Sequence, residues 1–160
     1  MPGLAQILFQ KFDRTLTRAV SFPANFDELE RGDRNRYIGD LGEQLAAKFL
    51  RHEGLAVLYR NYTAPRGGEV DIVCKDEAGT GLVFVEVKTR TSSDFNRPAS
   101  AVDKEKRKLI TKGGLSWLRE LDHPDVIFRF DIVEVILTDG EPPKFTRIDN
   151  AFQLEGAYRY

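Results

Sequence analysis

The chain has 160 residues, 41% hydrophobic and 31% charged, with a formal net charge of −1. That suits one soluble domain with a core of its own. It excludes a disordered chain and a helical membrane protein, since no apolar run nears ~20 residues, and argues weakly against indiscriminate nucleic-acid binding, although a local basic face stays compatible.

Leu4, Ile7, Leu8, Phe12, Leu16, Ala19 and Val20 recur at three- and four-residue steps and predict an amphipathic N-terminal helix over 4–20. Lys11, Asp13, Arg14 and Arg18 interrupt it before the apolar region of a signal peptide can form, which points to a cytoplasmic protein. Pro23, Asn25 and Gly32 mark Ser21–Asp33 as a linker. Residues 1–35 are therefore read as a helical extension with its linker, and 36–160 as the main domain. Ile38, Leu41, Leu45, Ala46, Phe49 and Leu50 draw an apolar stripe that predicts a helix over 38–53, ended by Gly54. Strands follow at 56–59, 69–75 and 82–90, a meander turning at Gly67-Gly68 and at Gly79/Gly81. Ser100 and Asp103 resemble a capping box, after which Val102, Leu109, Ile110, Gly113, Trp117 and Leu118 predict a second amphipathic helix to about Leu121. A fourth strand, 128–137, should lie parallel to its predecessor by a right-handed crossover, giving a mixed sheet. Beyond Pro142-Pro143, residues 145–148 can add an edge strand.

Within this pattern, Glu69, Asp71 and Glu86 sit among apolar β-formers, where charge is costly. A hairpin symmetric about the loop 76–81 sets Asp71 opposite Glu86 and Glu69 opposite Lys88. Opposed Cβ atoms lie ~4.5–5.5 Å apart, so two carboxylates repel by roughly 3 kcal/mol at an effective dielectric of 20, more than a cross-strand pair contributes. Something cationic is required: Lys88, on the face of Glu86, or a divalent metal. With Cys74 the single cysteine and His52 and His123 the only histidines, neither a disulfide framework nor a Cys/His zinc set exists, and any metal is held by oxygen. The competing reading is a structural charge cluster that guards a sheet edge.

Gly42-Glu43, Gly68-Glu69-Val70-Asp71 and Val85-Glu86-Val87-Lys88, in that order, resemble the PD-(D/E)xK nuclease superfamily. Within it, Gly39-x-x-Gly42-Glu43, Arg60-Asn61, Gly68-Glu69-Val70-Asp71, Phe84-Val85-Glu86-Val87-Lys88-Thr89-Arg90 and Arg129-Phe130-Asp131 look like the YraN family of predicted bacterial endonucleases, relatives of archaeal Holliday-junction resolvases. The resemblance runs from about Arg36 to Leu137. It implies a restriction-endonuclease-like α/β fold: a mixed sheet flanked by helices, in α-β-β-β-α-β order, here with an extra N-terminal helix. It also implies a metal-dependent endonuclease acting on DNA, branched DNA included. Asp71 and Glu86 would hold Mg²⁺ or Mn²⁺ with the main-chain carbonyl of Val87, and Glu43 would join through water or a second metal. Lys88 would orient the attacking water and stabilise charge on the phosphate. The other class of function is a nucleic-acid-binding or protein-interaction module that keeps the fold without turnover.

Lys104, Lys108 and Lys112 make a basic stripe, read either as solvated surface or as phosphate contacts. Lys106 falls within the apolar face of the same helix. It either snorkels over the core edge or directs its charge at a phosphate of the site, and the family pattern favours the second. Arg66 and Arg90 are further candidates for nucleic-acid contact. Trp117 and the strand phenylalanines read as core, not as base-stacking platforms. The apolar face of the N-terminal helix must be buried somewhere, and a homodimer is one solution.

Overall fold

The computed structural model describes residues 14–78, 81–92, 102–122 and 124–154. After a short helix α1, Arg14–Thr17, and a 3-10 turn at Phe26–Glu28, come α2, Arg31–His52; β1, Leu55–Thr63; β2, Glu69–Asp76; β3, Leu82–Thr91; α3, Lys104–Glu120; β4, Phe128–Leu137; and β5, Lys144–Phe152. The five strands form one sheet in sequence order. β1–β2, β2–β3 and β4–β5 are antiparallel, and β3–β4 is parallel with Leu82 beside Phe128 and Thr91 beside Leu137. This is the mixed, helix-flanked, restriction-endonuclease-like arrangement expected from the sequence.

Strand alternation divides the core between the two sheet faces. Ile72, Cys74, Val83, Val85, Val133 and Val135 pack with Leu45, Ala46 and Leu50 of α2. Val73, Leu82, Phe84, Phe130 and Ile132 pack on the other side with Ile110 and Leu118 of α3. Glu86 and Lys88 continue the α3 face of β3, two and four residues beyond Phe84.

Two glycine contacts set the helices on the sheet. A Cβ at Gly42 would run into the Thr89 side chain, so α2 lies directly on the end of β3 and carries Glu43 there. A Cβ at Gly113 would meet the Glu69 backbone at 2.8–2.9 Å, so α3 presses on the start of β2.

The N-terminal segment departs from expectation. α1 is helical only to Thr17, and residues 4–13 of the predicted helix lie outside the described residues. Val20 instead bonds the turn between β4 and β5, its N–H donating to Glu141 O and its carbonyl accepting from Gly140 N, each at 2.8 Å. The predicted linker is docked: Phe22 N–H donates to Asp139 Oδ1, and the rings of Phe22, Phe26 and Tyr37 pack together, tilted and edge-on, against the core. Its last residues already belong to α2. At the other helix, Asp103 provides the N-cap, accepting from Lys106 N at 2.8 Å, while Ser100 lies outside the described residues.

Candidate metal and nucleic-acid site

The predicted hairpin register holds from Lys75 beside Leu82 to Ile72 beside Val85, and there the ladder stops. Asp71 and Glu86 are the next residues along, and they are not a ladder pair. Beyond the last rung, the Asp71 side chain inserts between the strands, and its Oδ2 accepts the Val87 N–H at 2.7 Å. An antiparallel residue turns its N–H and C=O to the same side. The Val87 carbonyl therefore faces the same gap.

Glu86 is 2% exposed. Its Oε1 is met by Lys88 Nζ at 2.9 Å and by Lys106 Nζ at 3.3 Å. Its Oε2 is buried with no hydrogen-bond partner. Burial, and after it the Glu86 charge, pushes the Asp71 carboxyl up to about 7, although the Val87 N–H and Lys106 pull it down. Glu43 on α2 is raised as well, chiefly by burial, against a hydrogen bond from Asn61 and the charge of Arg60. Lys106 is bonded to Glu69. Burial works against its charge, but Glu69, Glu86 and Asp71 outweigh that and hold the ammonium above its ordinary range.

Four carboxylates thus share one corner with Lys88, Lys106 and Arg60. They are spread around that corner: among the described residues no group of three or more Asp, Glu, His or Cys side chains is drawn together tightly enough to hold a metal ion. Two lysines stand on the side of Glu86 where a cation is needed, and one of its oxygens is left over.

The other basic candidates occupy different places. Lys106 points into the carboxylates, whereas Lys104, Lys108 and Lys112 lie on the exposed face of α3, with Lys108 bonded to Glu105 at 2.8 Å. Arg90 is drawn to Glu134 of β4 at 3.4 Å, so its charge is engaged within the sheet. Arg66 is exposed and shares a hollow of about 550 Å³ with Lys112 and Arg119. Beside that hollow, Tyr59, Tyr62 and Trp117 form a ring cluster in which Tyr59 is 50% exposed. Trp117 packs partly buried against the core, as the sequence predicts.

Arg60 and Asn61 carry no role in the sequence expectations, yet both address Glu43. Asn61 takes a positive φ of 54°, between the pairs Arg60–Ile72 and Tyr62–Val70, which turns its side chain to that carboxylate. Asparagine tolerates this left-handed conformation better than other non-glycine residues, and that is the signal available in the sequence.

Glu43, Val87 and Lys88 open into a cleft of about 910 Å³ between α2 and the end of β3. It lies at the upper end of the range typical of ligand sites.

The model of the uncharacterised protein family UPF0102 matches residues 42–135. A UPF0102 protein of Trichlorobacter lovleyi is 46% identical over 123 residues, covering 77% of this chain and 95% of its own length. One from Geobacter metallireducens is 41% identical over 120 residues, 75% and 95%. One from Nocardia farcinica is 42% identical over 115 residues, 72% and 88%. The matched stretch includes Glu43, Asp71, Glu86 and Lys88.

Proposed function

This chain belongs to the UPF0102 family, and from that premise we propose that it is a metal-dependent endonuclease hydrolysing phosphodiester bonds in DNA, with branched DNA among its substrates. The observation that carries the reading is Glu86: a buried carboxylate with one oxygen unpartnered, beside an Asp71 that its charge helps hold protonated. Structural ion pairs satisfy both partners, and a half-satisfied buried carboxylate costs stability unless function retains it.

The donor set fits a hard divalent cation. Asp71 and Glu86 would hold Mg²⁺ or Mn²⁺ with the Val87 carbonyl, and Glu43 would hold one of its waters, which agrees with the few protein ligands Mg²⁺ takes. Bound there, the ion supplies Lewis-acid polarisation of the phosphate and a more acidic water. The protein does the rest. The Val87 N–H fixes the Asp71 carboxylate, and Asn61 and Arg60 orient Glu43. Lys88 is half-buried and within reach of Glu86, placed to hold the attacking water and to meet charge developing on the phosphate.

A second reading, a DNA-binding module without turnover, is favoured by the lysines already set against Glu86 and by the absence of a tight ligand cluster among the described residues. A cleavage panel of linear, nicked, flapped and four-way DNA, with RNA as control, separates the two. Cutting that depends on Mg²⁺ or Mn²⁺ and is lost in Asp71→Ala, Glu86→Ala and Lys88→Ala is the expected result. Binding without cutting establishes the module, and equal cutting by wild type and variants identifies a contaminant and removes the nuclease reading.

A further inference from the structure

The cleft over Glu43 and Lys88 has a wall that the sequence assigned to a linker. Phe22–Phe26 and the first turns of α2 form one side, and Thr89 and Ser92 at the end of β3 form the other. Arg31, Arg34 and Asn35 line it from positions i, i+3 and i+4 of α2, on one face of that helix. All three precede the stretch 42–135 that the family model matches.

These two arginines are oddly placed for surface charge. They occupy the first turn of a helix, where the peptide dipole disfavours cations. Arg36, in the next turn, is held by Asp33 at 3.4 Å. Among the described residues neither Arg31 nor Arg34 has an ion pair or side-chain hydrogen bond. Of the acids that line the cleft, Asp139 accepts the Phe22 N–H, and Asp27 is exposed on the same wall. The wall itself is held in place, since the backbone and rings of residues 20–26 are docked on the β4–β5 turn and on Tyr37.

We propose that Arg31 and Arg34 bind the phosphodiester backbone of the nucleic acid on one side of the bond to be cut, fixing the strand that runs through the cleft to Glu43 and Lys88. The inference rests on the nuclease reading above and names which part of the substrate the cleft holds. Guanidinium groups suit this task because their planar fork meets two phosphate oxygens at once. Thr89 and Ser92 line the same cleft and add hydroxyl-bearing residues to it. At a rise of 1.5 Å per residue, Arg34 stands about 13 Å along α2 from Glu43. At 3.4 Å per nucleotide of a duplex strand, that is about four steps from the reacting phosphate.

The test uses the full chain and fluorescein-labelled DNA, four-way and linear, with anisotropy read in EDTA from 50 to 300 mM salt. Arg31→Ala/Arg34→Ala should bind about tenfold more weakly, with the salt slope shallower by about 1.8, the share of two phosphate contacts on duplex DNA. Arg31→Lys/Arg34→Lys should recover most of the slope, and Mn²⁺ binding and thermal midpoint should match wild type. Substrates cut back to fewer than about four nucleotides on one side of the scissile bond should erase the difference between wild type and variant. If wild type binds and cuts DNA while the double alanine variant has the same affinity and slope, the arginines have no such role and the nuclease reading stands. If wild type binds neither the four-way nor the linear DNA, both fall.

Discussion

Asp71 is the residue on which electrostatics and chemistry meet. Its folded pKa of about 7 lies well above the ordinary ~3.9 of an aspartate, and burial is the first cause. The sign follows from proton linkage: the folded state binds the proton more tightly, so the stability this group contributes is full below pH ~4 and is lost as pH rises to about 7. Between pH 5.5 and 7.5 the protein in EDTA should lose about 2 kcal/mol, at roughly 1.4 kcal/mol per unit. Asp71→Asn should flatten that dependence, and Mn²⁺ should stabilise wild type more at pH 7.5 than at 5.5. Chemical denaturation at the two pH values measures it; a wild type whose stability is flat or rising over this range contradicts the assignment.

At the scale of elements, much was legible because apolar periodicity and sheet alternation act locally. The third and fourth strands follow their sequence expectations almost to the residue, and the parallel β3–β4 pairing follows from the intervening helix. What stayed hidden depends on tertiary contact. Residues 31–37 at the start of α2 are mostly exposed and carry no apolar stripe, and Gly32 reads as a breaker, so their helicity showed no pattern. β1 runs on to Thr63 through a bulge that disrupts simple alternation. The acids of the site were legible as misfits within strands. The end of the ladder at Ile72–Val85, which turns facing acids into an inserted Asp71, was not, because a register says nothing of where strands part. One contact sets the helix against this gap. Gly42→Ala should destabilise by about 1–3 kcal/mol, the usual cost of overpacking, and should displace Glu43. Thr89→Gly in the same chain should restore part of both stability and cleavage, and a Gly42→Ala variant as stable as wild type would show that α2 does not rest on β3 there.

Across the whole molecule, the fold brings three distant parts of the chain to one corner. α2 supplies Glu43, the parting strands supply Asp71, Glu86 and Lys88, and α3 supplies Lys106. The docked N-terminal segment walls the cleft that leads there. Near-neutral net charge fits this plan, because the basic groups are spent locally on the carboxylates and along the cleft. Among the described residues no helix is long and apolar enough to cross a membrane. The central claim is that this corner holds a divalent cation. Calorimetric titration of Mn²⁺ at pH 8, with and without DNA, tests it most directly. Wild type and Lys88→Ala should bind, and Glu86→Ala should lose binding. No binding heat from wild type under either condition, or equal affinity in Glu86→Ala, would contradict the account.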